Sequence, residues 1–261
     1  MLEFAIAALL ALVLLGVLAA AGRLDVVLVE MPTRARRLAA LFILWAVLLA
    51  CVFYPTVSPG DAAHIDPDTI WFPTIFTGQV ILAGFLVIWW LLASPVPLRR
   101  FLCLEGASVD DAWFGLGIGA VGWAAAIASS AAVALVLYLS GYDATSGDGE
   151  ALQVPAVLLW LTALPVWRKL IVVAVAMTVE EAFYRAFLQV RFGWVLSSVL
   201  FALSHGGYGL PTLTASVFAV SLAIGWALRR RGNLLPCIVA HGVFDAVQLL
   251  VVMPIAVKQL G

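Results

Sequence analysis

Long uncharged runs alternate with short charged stretches along this chain, and the runs are of a length that matters. A helix crosses the hydrocarbon core of a bilayer with about 17 to 25 apolar residues. Eight segments meet or approach that length: Phe4–Gly22, Leu38–Val57, Thr74–Ala93, Trp113–Ser140, Leu170–Val190, Trp194–Leu210, Leu213–Leu228 and Leu234–Val257. The sixth and seventh are short and are joined by a tight Gly207-Tyr208-Gly209-Leu210-Pro211 turn. The pattern predicts an all-α, polytopic integral membrane protein of about eight transmembrane helices. It divides into four N-terminal spans over 1–150 and four more over 151–261, all within one membrane domain.

Composition agrees. Hydrophobic residues make up 64% of the 261 positions and charged residues only 11%, more apolar material than a globular core of this size can hide. Membrane lipids are therefore the first partner, and the segregated charge with a net value of -1 argues against nucleic acid. Cys51, Cys103 and Cys237 show no CxxC spacing, which excludes a disulfide framework or a thiolate zinc site. The first run ends in Ala19-Ala20-Ala21 like a signal peptide, but Glu3 replaces a basic n-region, so it is read as a retained span. Tryptophans such as Trp71, Trp89 and Trp90 are read as interfacial anchors.

The apolar stretch Leu152–Trp167 is broken by Pro155 and Pro165. If it lies in the interface, Arg23, Arg34, Arg36, Arg37, Arg99, Arg100, Arg191, Arg229, Arg230 and Arg231 share one side, opposite Arg168, Lys169 and Lys258. This is the asymmetry the positive-inside rule demands. Both termini and the acidic loops Asp61–Asp68 and Asp143–Glu150 then fall outside. His64, among Asp61, Asp66 and Asp68, reads as solvated.

Ionisable side chains within a span are costly, and each is a functional hypothesis. There are six: Glu180, Glu181, Arg185, His205, His241 and Asp245, all in the last four segments. At a rise of about 1.5 Å per residue, Glu180, His205 and Asp245 each lie roughly 15 to 16 Å inside their spans, so they can meet near the midplane. His241 and Asp245 are four apart and share a helical face; so do Glu181 and Arg185, which read as a structural ion pair. Glu180 points about 100° away from Glu181, a spare carboxylate suited to exchanging a proton with water.

Three intramembrane protease chemistries fail against these residues. No HExxH string exists for a zinc protease of that type. Ser204 adjoins His205 in sequence, which would set the two on different helical faces. Asp245 is the sole aspartate at membrane depth, so no aspartate pair forms.

The residues do resemble a known family. Glu180-Glu181-Ala182-Phe183-Tyr184-Arg185 is similar to the EExxxR motif of the CAAX-protease and bacteriocin-processing (CPBP) membrane proteins, which include the Rce1-type prenyl-protein endopeptidases. Phe201-Ala202-Leu203-Ser204-His205 is similar to their FxxxH motif, and His241-Gly242-Val243-Phe244-Asp245 to HxxxN/D. The resemblance spans roughly residues 150–257 and implies an Rce1-like eight-helix fold. It also implies a hydrolase that works without a covalent intermediate. By that analogy Glu180 and His205 hold and deprotonate water, while His241 and residue 245 stabilise an oxyanion. An ionised Asp245 cannot donate a hydrogen bond, so it is expected to orient and charge His241.

No cofactor is expected on that reading, with zinc on Glu180, His205 and His241 as the alternative. The resemblance implies a membrane-anchored or lipidated protein or peptide as substrate, and a prokaryotic cytoplasmic membrane as location. Two other readings stay open: a non-catalytic scaffold or immunity protein on the same fold, and a proton- or ion-coupled transporter.

Overall fold

The computed structural model describes residues 1–58, 70–141 and 156–260. The two acidic loops, His64 and the start of the Leu152–Trp167 stretch lie outside the described residues. Eight helical rods follow one another in the described chain: α1 (Leu2–Ala20), α2 (Arg34–Val57), α3 (Phe72–Leu92), α4 (Val109–Leu139), α5 (166–192), α6 (Trp194–Ser204), α7 (Pro211–Arg231) and α8 (Leu235–Lys258). Each overlaps one of the eight apolar segments, and no described residue is in a strand. Six rods are long and apolar enough to cross a membrane. Of the other two, α5 is long enough but carries Glu180, Glu181 and Arg185, and α6 has only 11 residues, about 16 Å.

The short α6 corrects the sixth expected span. The helix stops at Ser204, His205 follows its last turn, and a single 3-10 turn Gly206–Tyr208 leads through Gly209 (φ 66°) to Pro211 at the start of α7. Irregular backbone at such depth survives only where protein covers it or it lines a cavity. Here α2 supplies the cover. Thr56 Oγ1 lies 2.6 Å from the Leu203 carbonyl oxygen, and a Cβ at Gly206 or Gly207 would come within 3.3 Å of Thr56 Cα or 3.2 Å of the Pro55 oxygen. Two successive glycines thus let the turn lie on the α2 backbone.

The packing of α4 against α8 relies on the same device. An added Cβ at Gly115 would stand 2.7 Å from the Pro236 oxygen, and one at Gly119 would stand 3.2 Å from the Ala240 oxygen. Small residues four apart allow two backbones to touch where lipid offers no hydrophobic driving force between helices.

In the N-terminal half, α3 presents Leu82, Phe85, Leu86 and Trp89 along one buried stripe. Phe187 of α5 meets Trp89 at 4.7 Å and Phe85 at 4.9 Å, edge to face. This aromatic contact fixes α3 against the helix that carries Glu180.

Several arginines gather at one end of the bundle, as the charge pattern predicts. Arg191 pairs with Glu30 at 2.9 Å, Arg231 approaches Asp111 at 3.7 Å, and Arg36 donates to the Leu92 carbonyl. At the other end Arg168 lies over the rings of Phe72 and Trp167. The described part of the Leu152–Trp167 stretch contains an eight-residue helix, Ala156–Ala163, about 12 Å long and too short to cross alone.

Candidate active site

The polar residues of the last four rods converge beside a departure of α5 from regular α-helix. From Ala182 to Gln189 the chain is π-helical, a form that is rare and recurs at functional sites. Just before it, Glu180 and Glu181 are both buried. Glu181 Oε2 accepts from Arg185 Nε at 3.0 Å, and Arg185 Nη2 donates to Ser221 Oγ on α7 at 2.9 Å. The guanidinium also lies over the Phe201 ring. The expected Glu181–Arg185 pair is therefore present and fully enclosed.

Glu181 does more than balance that arginine. Its Oε1 lies 2.9 Å from His241 Nδ1, and His241 Nε2 lies 3.3 Å from Asp245 Oδ2. The sequence pattern gave His241 one carboxylate, Asp245; the structure gives it two. A neutral imidazole has one N–H, so a ring flanked on both sides by carboxylates needs a second proton on the ring or on a carboxyl. Either arrangement leaves Glu181, Arg185, His241 and Asp245 with zero net charge, which a low-dielectric interior tolerates best. Gly242 allows the approach: a Cβ there would overlap the Met177 sulfur on α5.

Glu180 stands apart from this closed network, on the adjoining face. Its Oε1 accepts from Gln79 Nε2 of α3 at 2.9 Å, a partner the ionisable pattern did not reveal because glutamine carries no charge. Just past the end of α6, His205 Nδ1 lies 2.9 Å from the Phe201 carbonyl oxygen. A carbonyl only accepts, so Nδ1 carries the proton and Nε2 of the neutral ring is left as the acceptor.

Ser204 also departs from expectation. Because α6 ends between the two residues, Ser204 Oγ comes within 3.2 Å of His205 Nδ1. That nitrogen is committed as a donor and cannot act as a base toward the serine. Ser204 Oγ itself donates to the Phe201 carbonyl at 2.7 Å.

Glu180, His205, His241 and Asp245 all line one cavity of about 630 Å³, together with Gln79 and Tyr208. Its remaining wall is largely apolar and comes from α3, α4, α5, α6, α7 and α8 and from Val157, Leu158 and Leu161 of the short Ala156–Ala163 helix. Tyr208 sits within electrostatic range of both Glu180 and Asp245. Both ring nitrogens of His241 face carboxylates, so zinc on Glu180, His205 and His241 would have to displace Asp245 from Nε2 to gain an imidazole nitrogen. Among the described residues no group of three His, Cys, Asp or Glu is arranged to hold a metal.

Residues 162–247 match the family model described as type II CAAX prenyl endopeptidase Rce1-like. The matched segment contains all three motifs and leaves α1–α4 outside. No curated protein and no solved structure matches the chain.

Proposed function

We propose that this membrane protein, whose residues 162–247 are Rce1-like, is an intramembrane endopeptidase that cleaves a membrane-anchored or lipidated protein or peptide with activated water. The observation that carries the reading is the convergence of Glu180, His205, His241 and Asp245 on one largely apolar cavity.

In this mechanism a water molecule is held between the free Glu180 oxygen and His205 Nε2. As its oxygen attacks the carbonyl carbon, its proton passes to Glu180. The developing oxyanion turns to the Nε2–H of His241. The 3.3 Å contact of that nitrogen with Asp245 is long for a charge-assisted bond, so an oxyanion can displace it. Glu180 then returns the proton to the leaving nitrogen as the C–N bond breaks, giving a carboxylic acid and an amine, and the acid passes its proton to the amine to leave a carboxylate and an ammonium group. Donors already in place at the oxyanion typically contribute a few kcal/mol. The chemistry requires no metal and no covalent enzyme intermediate, and we place the protein in a prokaryotic cytoplasmic membrane.

The test is cellular. Glu180→Ala and His205→Ala variants, expressed in the native cell at wild-type levels, should accumulate the same uncleaved membrane precursors. If both fold and neither alters any N- or C-terminal processing, the protease reading fails.

A further inference from the structure

Gln79 lies outside the Rce1-like segment, in a span with no ionisable residue, yet its side chain reaches Glu180. Its Nε2 is 2.9 Å from Glu180 Oε1, and its own Oε1 is buried without a hydrogen-bond partner. The amide is thus committed through its donor half alone. No described residue donates to Glu180 Oε2. We infer that Gln79 is a positioning residue for the proposed base: it pins Glu180 Oε1 and leaves Oε2 as the oxygen that takes the proton from water.

Three features support this. Gln79 continues the buried stripe of α3 formed by Leu82, Phe85, Leu86 and Trp89, and the Trp89–Phe187 contact holds that stripe against α5. The amide therefore comes from a fixed element rather than a loop.

The second feature is chemical. A carboxylate accepts an N–H bond more strongly than a carboxylic acid does, but both accept it, so Gln79 favours the ionised form modestly and can keep Oε1 through the whole cycle. A lysine or arginine there would hold the ionised form and oppose its protonation.

The third is the surroundings. The other titratable groups near Glu180 are Cys51 of α2, Glu181 and Tyr184 of α5, Tyr208 of the 3-10 turn, and His205, His241 and Asp245, which share its cavity. No described residue except Gln79 donates a hydrogen bond to the Glu180 carboxylate. Glu181, by contrast, has Arg185 and His241.

The inference rests on Glu180 being the base, and its test does not require a known substrate. Dicyclohexylcarbodiimide modifies membrane-buried carboxyl groups in their protonated form, and peptide mass spectrometry locates the adduct. Full-length protein in detergent is treated at pH 7 as wild type, Gln79→Met, which keeps the volume, and Gln79→Asn, which withdraws the amide by one methylene. Removing a donor to the ionised form should make Glu180 label on the order of tenfold faster in both variants, with labelling at Glu181 unchanged. Wild-type labelling of Glu180 in either folded variant overturns the inference and leaves the protease reading standing. Unaltered processing by Glu180→Ala overturns the protease reading whatever the labelling shows.

Discussion

Glu181 and His241 stand 60 residues apart in the chain and 2.9 Å apart in space, which makes Glu181 the hinge between a buried arginine and a cavity-lining histidine. Replacing it with alanine leaves Arg185 enclosed with no carboxylate. That loss should cost about 3–5 kcal/mol. The expected result is a clearly lowered midpoint of thermal unfolding for Glu181→Ala in detergent, and an unchanged midpoint would contradict the network.

The α4–α8 contact offers a matched pair of glycines. Gly115 meets the Pro236 carbonyl, whereas Gly117 has nothing within 4 Å. Gly115→Val should destabilise by about 1–3 kcal/mol through overpacking, while Gly117→Val should unfold close to the wild-type temperature. Equal behaviour of the two variants would show that the backbones do not touch.

How much of this was legible in the sequence depends on what the signal measures. Hydropathy located every rod, because burial in lipid demands long apolar runs. It overran α6, because a run of apolar residues records the solvent around the chain and not whether the backbone is helical. The glycines at 206 and 207 and Pro211 were the local signs of the break.

Charge pointed to Glu180, His205, His241 and Asp245 because ionisable groups are rare at depth. It could not reveal Gln79, Ser221 or Thr56, which are neutral and whose contacts with Glu180, Arg185 and Leu203 join residues remote in sequence. The spacing of Glu181 to Arg185 predicts a structural pair, and the bond from Glu181 to His241 leaves no trace in that spacing because it joins two helices. Helical spacing separates Ser204 from His205, and that separation fails where the helix ends.

Thr56 anchors the turn that carries His205, its hydroxyl proton shared between the Leu203 carbonyl at 2.6 Å and the Val52 carbonyl of its own helix at 2.7 Å. Thr56→Val keeps the shape and removes the hydroxyl, for a loss of about 0.5–1.5 kcal/mol. Hydrogen exchange at residues 203–208 should accelerate by roughly the corresponding factor, up to about tenfold, while the α4–α8 interface stays protected. Uniform exchange across both regions would argue against a local anchor.

Ser204 and His205 separate two chemistries. With Ser204 Oγ donating to Phe201 and His205 Nδ1 held as a donor, Ser204→Ala should process precursors within a few-fold of wild type, whereas His205→Ala should not process them. Loss of processing in a folded Ser204→Ala variant would favour a serine nucleophile.

The central claim is that Glu180 activates water for peptide cleavage, and the most direct test uses a precursor that accumulates in cells carrying the Glu180→Ala variant. Purified wild type and Glu180→Gln are compared in liposomes under single-turnover conditions, in H₂¹⁸O and with a strong chelator present. The account predicts cleavage by wild type with one ¹⁸O in the new carboxylate, and a rate at least about 10²-fold lower for Glu180→Gln. Cleavage by Glu180→Gln within a few-fold of wild type would contradict it.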